Sequence, residues 1–276
     1  MNNQDFSMLI KIGGAILADD QLLESFAQDL KLLKQAGAKI VVVHGGGQLI
    51  SEQLAFNNIE SQFIEGQRVT SEKATKIIKL VMSGYINKMI ANKLTRLGVK
   101  AKAMSADEYQ LFECNYYSES LGFVGKIAKV NATSVGQHWS SDTGDIDTIP
   151  VIAPIGIDNT GKLLNINADH AASHLATALG VDKLIYLTDQ EGILSKQGQQ
   201  YFELTDFEIK QLIADETVVG GMLVKTKEIL SALKKVNNIH ILNGKKKSAI
   251  SQAILSSKPI GTVCKTSQQA YFQEAV

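Results

Sequence analysis

Met8-Leu9-Ile10-Lys11-Ile12-Gly13-Gly14 and Ile40-Val41-Val42-Val43-His44-Gly45-Gly46-Gly47 are two versions of one design, a short apolar run that ends in glycines. Such a run reads as a strand buried on both faces and followed by a tight turn. Between them Leu22, Phe26, Leu30 and Leu33 recur at helical spacing and stop at Gly37, so the unit is β-α-β. The alternation continues outward from it. Leu49, Ile50, Gln53 and Leu54 make one amphipathic set, Ala74, Ile77, Ile78 and Val81 a second, and Ile86, Ile90, Leu94 and Leu97 a third, closed by Gly98. Val151 to Pro154 reads as a buried strand, Ala171 to Leu179 as a helix ended by Gly180, and Leu184 to Leu187 as another strand. Leu223, Leu230, Leu233 and Val236 share a helical stripe ahead of a strand from Ile239 to Leu242. Parallel strands need crossovers and hide both surfaces. The order therefore predicts an α/β fold, a three-layer α/β/α sandwich around a central, mainly parallel sheet.

No repeat, low-complexity tract or Pro/Ser-rich linker divides the 276 residues, so a single domain over 1–276 is expected. A seam near Gly180 to Lys183, where a helix ends and a fresh βα series begins, would separate a lobe of about 1–180 from one of about 181–276. Gln137 to Thr148, rich in Ser, Gly and Asp, reads as a solvated loop, because its carboxylates do not follow the spacing of a calcium loop. Twenty-eight basic and 28 acidic residues cancel, leaving no basic field for nucleic acid or a membrane surface and pointing to a small-molecule partner. Cys114 and Cys264 are too few for a disulfide framework. The polar start leads into neither a signal peptide nor a membrane span, so a cytoplasmic location is expected.

Ligands of open parallel sheets sit beyond the carboxyl ends of the strands, where both glycine turns fall. Without Cβ atoms, backbone N–H groups can approach an anion closely, and a helix N-terminus adds partial positive charge. A lone glycine turn is weak evidence, and neither turn has the spacing of a P-loop or of a dinucleotide fingerprint. A third element is more telling: Gly220-Gly221-Met222-Leu223-Val224-Lys225, a glycine pair that opens a helix with a lysine one turn inside. Lys11, at the inner end of an apolar strand, costs desolvation unless an anion pairs with it. Lys11 and Lys225 could thus converge on phosphates from two lobes. Asp169 reads as the N-cap of the helix Ala171 to Leu179. His170 and His174 have the i, i+4 spacing of a zinc pair, but Ala171 stands where a zincin has its glutamate, so no metal site is expected. His44 reads as a supporting or core histidine.

Six segments then occur in a recognisable order: Lys11-Ile-Gly-Gly14, His44-Gly-Gly-Gly47, Gly66-Gln-Arg68-Val-Thr70, Asn165-Ile-Asn167-Ala-Asp169, Thr188-Asp189-Gln-Glu-Gly192-Ile-Leu194 and Gly221-Met-Leu-Val-Lys225. Together they resemble the amino acid kinase family, over about Met8 to Val263. The resemblance implies that the γ-phosphoryl group of ATP, with Mg²⁺, is moved onto the side-chain carboxylate of N-acetyl-L-glutamate in arginine biosynthesis. It gives Lys11 and Lys225 as cations on the transferring group and Asp169 as the residue that orients them. It gives Gly46, Gly47, Arg68, Asn165 and Asn167 as acceptor-binding residues. Gly13, Gly14, the segment Asp189, Gln190, Glu191, Gly192, Ile193 and Leu194, and Thr217, Val218 and Val219 would bind the nucleotide. The chemistry agrees, because a carboxylate is already ionised at neutral pH and needs no general base. Departures from the family pattern are Ser105-Ala106-Asp107, in place of Gly-x-Asp, and Gln67, where many relatives have leucine. The rival expectations are a relative acting on another acyl amino acid, such as an acetylaminoadipate, or an inactive nucleotide-binding regulatory relative. Only ten residues precede Lys11. The extra N-terminal helix of arginine-regulated relatives then has no counterpart, and a homodimer insensitive to arginine is expected.

Overall fold

The computed structural model of the protein describes residues 6–17, 19–139, 148–256 and 259–268. Most of the loop expected over Gln137 to Thr148 lies outside them, although Gln137–Trp139 forms a 3₁₀ turn. Eight strands make one sheet, in the order Glu203–Thr205, Thr262–Lys265, Asn238–Asn243, Lys183–Thr188, Phe6–Ile12, Ala38–His44, Ile149–Ala153 and Ala101–Ser105. Every neighbouring pair is parallel except Asn238–Asn243 with Thr262–Lys265.

Side chains alternate across a strand, and that alternation sorts the two helical layers. Met8, Ile10 and Ile12 of the central strand pack into a core with Phe26 and Leu30 of the helix Asp20–Gln35, Ile78 of Glu72–Lys79 and Ile90 of Asn87–Arg96. Leu9 joins the opposite core, with Leu175 of Ala168–Leu179 and Ile229 of Gly220–Ala232. Lys11 has the parity of Leu9 and faces the second layer. In register it stands between Val43 and Tyr186. The helix Asp20–Gln35 starts where the Asp19 side chain accepts from the amides of Gln21 and Leu22, at 2.8 and 3.1 Å.

The structure departs from the sequence reading in several places. The second and third amphipathic sets are not separate helices. Glu72–Lys79 and Asn87–Arg96 are joined by a π-helical stretch, Leu80–Ile86. The helix expected from Ala171 begins at Ala168, and the stripe from Leu223 to Val236 outruns its helix, which ends at Ala232. A second sheet, ordered Leu163–Asn165, Ile155–Ile157, Phe112–Tyr116 and Gly125–Val130, and two short hairpins are additional to the sequence reading; Leu163–Asn165 and Ile155–Ile157 have three residues each and the hairpin strands two, too few to leave a periodic signal. One hairpin, Phe63–Ile64 with Gln67–Arg68, carries Arg68; the other pairs Ile193–Leu194 with Gln200–Tyr201.

Candidate active site

The chain leaves the central strand Phe6–Ile12 in both directions, to Ala38–His44 on one side and Lys183–Thr188 on the other. At such a switch point the loops beyond the carboxyl ends diverge and leave a crevice. Gly13 and Gly14 follow the first strand, Gly45 to Gly47 the second, and Asp189 the third. Two helices begin at this rim without a side-chain cap, Gly47–Phe56 after Gly46 and Gly220–Ala232 after Val219. Their first N–H groups are thus left for a ligand.

The centre of the crevice is a lysine pair on one carboxylate. Lys11 Nζ lies 2.8 Å from Asp169 Oδ1, and Lys225 Nζ lies 2.6 Å from Asp169 Oδ2. The side chains are 13%, 7% and 12% exposed for Lys11, Lys225 and Asp169, so the charges act in a poorly solvated space. Burial by itself would raise the Asp169 carboxyl; the ammonium groups of Lys11 and Lys225 outweigh it and hold that carboxyl far below the usual range. Burial lowers Lys225, Asp169 opposes the shift, and the Lys11 charge adds to it. Two cations against one anion leave an excess positive charge. Tyr186 completes the floor, with its ring 4.9 Å below the Lys225 ammonium and its hydroxyl donating to the Asp169 carbonyl at 3.3 Å.

Asp169 corrects the sequence reading. It is not the N-cap of its helix, because Asn167 is: the Asn167 side-chain oxygen accepts from the amides of Asp169 at 2.8 Å and His170 at 3.4 Å. The cap leaves the Asp169 carboxylate free for the lysines.

Three adjoining cavities meet at this cluster. The largest, about 510 Å³, is lined by Asp169 and Lys225 together with Asp189, Gln190, Gly192, Leu194, Thr217, Val218 and Val219. Glu191 and Ile193, expected with them, turn away from it. Glu191 bonds to Asn243 Nδ2 at 3.0 Å and pairs with Lys246, and Ile193 is buried in the core with its amide donating to Thr262 Oγ1 at 2.9 Å. A second cavity of about 240 Å³ runs between the lysines, past Gly13, Gly14 and Asp189.

The third cavity, about 230 Å³, contains Lys11 and Asp169 at one end and Gly46, Gly47, Arg68, Asn165 and Asn167 along its walls. Arg68 is fixed from several directions. One guanidinium nitrogen donates to Gly47 O at 3.0 Å and Ser51 Oγ at 2.9 Å, another donates to Ser61 Oγ, and the group stacks 4.7 Å over Phe63. Asn165 Nδ2 donates to Thr70 Oγ1 at 3.2 Å. The glycine turn itself rests on His44, whose Nε2 accepts from Asn87 Nδ2 at 3.0 Å and whose Nδ1 lies 3.0 Å from Gly45 O. Burial lowers that imidazole to about 4, which keeps it neutral.

The sequence reading missed Ser51, Ser61 and Phe63, which hold Arg68, and Met82, which with Ile50 of the first amphipathic set gives the same cavity apolar wall. Ser105-Ala106-Asp107 lies outside these cavities and is tied to Lys79, whose Nζ is 2.7 Å from Asp107 Oδ1 and 2.9 Å from Ser105 Oγ.

Comparison with known proteins agrees with this arrangement. The chain is 38% identical over 247 residues to an acetylglutamate kinase of Ruegeria pomeroyi, covering 89% of this chain and 84% of the relative. It is 37% identical over 264 residues to one of Campylobacter hominis, covering 95% and 92%. Among solved structures, one from Streptococcus mutans superposes with a TM-score of 0.79 at 26% identity, covering 96% and 99% of the two chains. An N-acetylglutamate synthase of Neisseria gonorrhoeae gives a TM-score of 0.82 at 22% identity and shares the fold; the alignment covers 95% of this chain and 59% of that one. Residues 7–243, which hold every element of the lysine cluster and its three cavities, match the amino acid kinase family, and the chain belongs to it.

Proposed function

We propose that the protein transfers the γ-phosphoryl group of ATP to the side-chain carboxylate of N-acetyl-L-glutamate, forming N-acetyl-L-glutamyl 5-phosphate and ADP in arginine biosynthesis. The observation that carries the proposal is the convergence of Lys11 and Lys225 on Asp169, at the junction of a large cavity and a smaller one that contains an arginine. The name shared by relatives at 37–38% identity supports the choice of acceptor.

An acceptor carboxylate oxygen attacks the γ-phosphorus, and the bond from that phosphorus to its bridging oxygen breaks, with the electron pair leaving on ADP. Charge spreads over the equatorial oxygens during transfer, and catalysis is largely alignment and charge stabilisation. Lys225, from the nucleotide side, and Lys11, from the acceptor side, meet that charge. Asp169 holds both ammonium groups in place without a proton of its own. Arg68 takes the α-carboxylate of the acceptor, a task suited to a planar fork already locked by Ser51, Ser61 and Gly47. Asn165 and the amides of Gly46 and Gly47 hold its remaining polar groups, and Thr217 to Val219 with Asp189, Gln190, Gly192 and Leu194 hold the nucleoside. Mg²⁺ carried on the nucleotide phosphates would neutralise part of their charge. Among the described residues Asp189 is the cavity carboxylate left to face it, since both oxygens of Asp169 hold lysines.

The same proposal assigns residues up to about 180 to an acceptor lobe and those from 181 to a nucleotide lobe, and makes the protein a cytoplasmic homodimer. Among the described residues no helix is long and apolar enough to cross a membrane. A hydroxamate assay for acyl phosphate, with ATP, Mg²⁺ and a panel of acyl amino acids, tests the reaction. Acetylglutamate should give the highest kcat/KM. A preference for acetylaminoadipate, or nucleotide binding without turnover on any acceptor, would overturn the assignment. Light scattering tests the dimer.

A further inference from the structure

His170 and Glu228 play no part in the reaction as described, yet they form a second rung between the helices that carry Asp169 and Lys225. His170 follows Asp169 on Ala168–Leu179, and Glu228 lies one turn beyond Lys225 on Gly220–Ala232. His170 Nδ1 is 2.9 Å from Glu228 Oε1, and the main chain at Glu228 is also held, by Ser173 Oγ donating to its carbonyl at 3.1 Å. The other imidazole nitrogen, Nε2, accepts from the Ile127 amide at 3.2 Å. Ile127 belongs to the strand Gly125–Val130 of the second sheet, the sheet that also bears Asn165 of the acceptor cavity.

These contacts fix the proton. A backbone N–H can only donate, so Nε2 must present its lone pair and the ring hydrogen sits on Nδ1, donating to Glu228. A protonated ring would set one N–H against another. The same argument decides against a cation. His170, His174 and Glu228 offer ligand atoms within 4.8 Å of one another, but a metal on Nδ1 would push the proton to Nε2, against Ile127.

We propose that His170, held as its Nδ1–H tautomer between Ile127 and Glu228, is a positioning residue that sets where the Lys225 helix meets Asp169. This rests on the phosphotransfer reading of the lysine pair. Lys225 reaches Asp169 from a long, flexible stem, and the rung one turn away limits how far its helix can slide. A displacement of about 1 Å in such a group can cost up to about a hundredfold in rate.

The test uses full-length variants and separates the two arms of the ring. Asn places its amide where Nδ1 stands, and Gln where Nε2 stands. His170→Asn should keep kcat within about threefold, while His170→Gln and Glu228→Ala lower it about tenfold, with both KM values changed less than about twofold. Glu228→Gln, whose amide oxygen still accepts, should restore kcat. In a Lys225→Ala background Glu228→Ala should cost nothing further, because its route to the chemistry has been removed. Equal losses in both backgrounds, or losses confined to KM, would overturn the proposal. Two NMR readouts need no turnover, and so separate this inference from the phosphotransfer reading. Nitrogen-15 shifts should show His170 protonated at Nδ1 and unmoved by added Zn²⁺. The carboxyl titration of Asp169 should move up in Glu228→Ala and stay in place in Glu228→Gln. A ring protonated at Nε2, a Zn²⁺-dependent shift, or an Asp169 titration indifferent to Glu228 would refute it.

Discussion

Removing a cation from the lysine cluster and removing its anion should have opposite structural consequences. With Lys225 gone, Asp169 keeps Lys11 at 2.8 Å, and the buried charges balance. With Asp169 neutralised, two ammonium groups face each other in a space where Lys225 is only 6% exposed. Lys225→Ala should therefore fold normally, with a Tm no lower than about 2 °C below the parent, allowing for the lost packing of its stem on Tyr186. Its kcat should fall on the order of a hundredfold, since one charge-stabilising contact is worth about 3 kcal/mol at the transition state. Asp169→Asn should lose about 3 kcal/mol of stability or more, because breaking a buried ion pair leaves charge uncompensated, and its Tm should drop by about 6 °C or more. ATP or inorganic phosphate should recover part of that loss by supplying the missing anion. Scanning calorimetry and the hydroxamate assay read both variants. A destabilised Lys225→Ala with normal turnover, or an Asp169→Asn as stable as the parent, would show that the charge balance has been read wrongly.

Asp169 also sets an acid dependence. Its folded pKa is depressed, so its contribution should be complete above the unfolded value near 3.9 and lost as pH falls through the folded one; urea unfolding of the parent and Asp169→Asn should differ by a constant amount from about pH 7 to 5 and converge below it. Lys225, lowered by burial, should bring the alkaline limb of kcat below 10.5, the ordinary lysine value, and a limb unmoved in Lys225→Arg would assign it to another group. Arg68→Lys loses the fork held by Ser51, Ser61 and Gly47, and should raise the acceptor KM about tenfold or more with kcat within about threefold, as steady-state kinetics would read. A Cβ on Gly46 would lie 2.6 Å from Ile86 Cδ1 and 2.7 Å from Met82 Sδ; Gly46→Ala should therefore raise the acceptor KM, and Met82→Ala in the same chain should relieve only part of the rise, because the Ile86 contact remains.

Different parts of this molecule were legible to different depths. The middle of the large sheet was, because strands such as Met8 to Ile12 and Ile40 to Val43 are buried on both faces and flanked by glycines and amphipathic helices, which leaves a full apolar signature; its strands Ala101–Ser105, Glu203–Thr205 and Thr262–Lys265, only partly buried, were not. The second sheet and the Arg68 hairpin were not. A two-residue strand such as Gln67–Arg68 has no period to detect, and its place is fixed by partners distant in sequence, Ser51 and Gly47 on a helix. The π-helical stretch Leu80–Ile86 was hidden for a related reason: one extra residue in a turn shifts the phase of an apolar stripe, and the shift looks like the end of one helix and the start of the next.

Asp169 shows where local rules run out. An aspartate close ahead of an apolar helical run is a good N-cap candidate, and Asn167 two residues earlier is an equally good one. Sequence alone offers no way to choose. What decides is a long-range cost: two buried ammonium groups, 158 and 56 residues away along the chain, need one carboxylate, and an N-capping aspartate would have spent its oxygens on backbone amides. Asn167 does the capping with an uncharged oxygen, and the charged side chain is left for the charged partners. The exchange Asn167→Ala should test this division. If Asp169 then turns to cap its own helix, kcat should fall on the order of a hundredfold while stability falls by no more than the roughly 1 kcal/mol of a lost cap, and the Asp169 carboxyl should titrate closer to its ordinary range. A variant that loses only stability would mean that the lysines hold Asp169 without help from its neighbour.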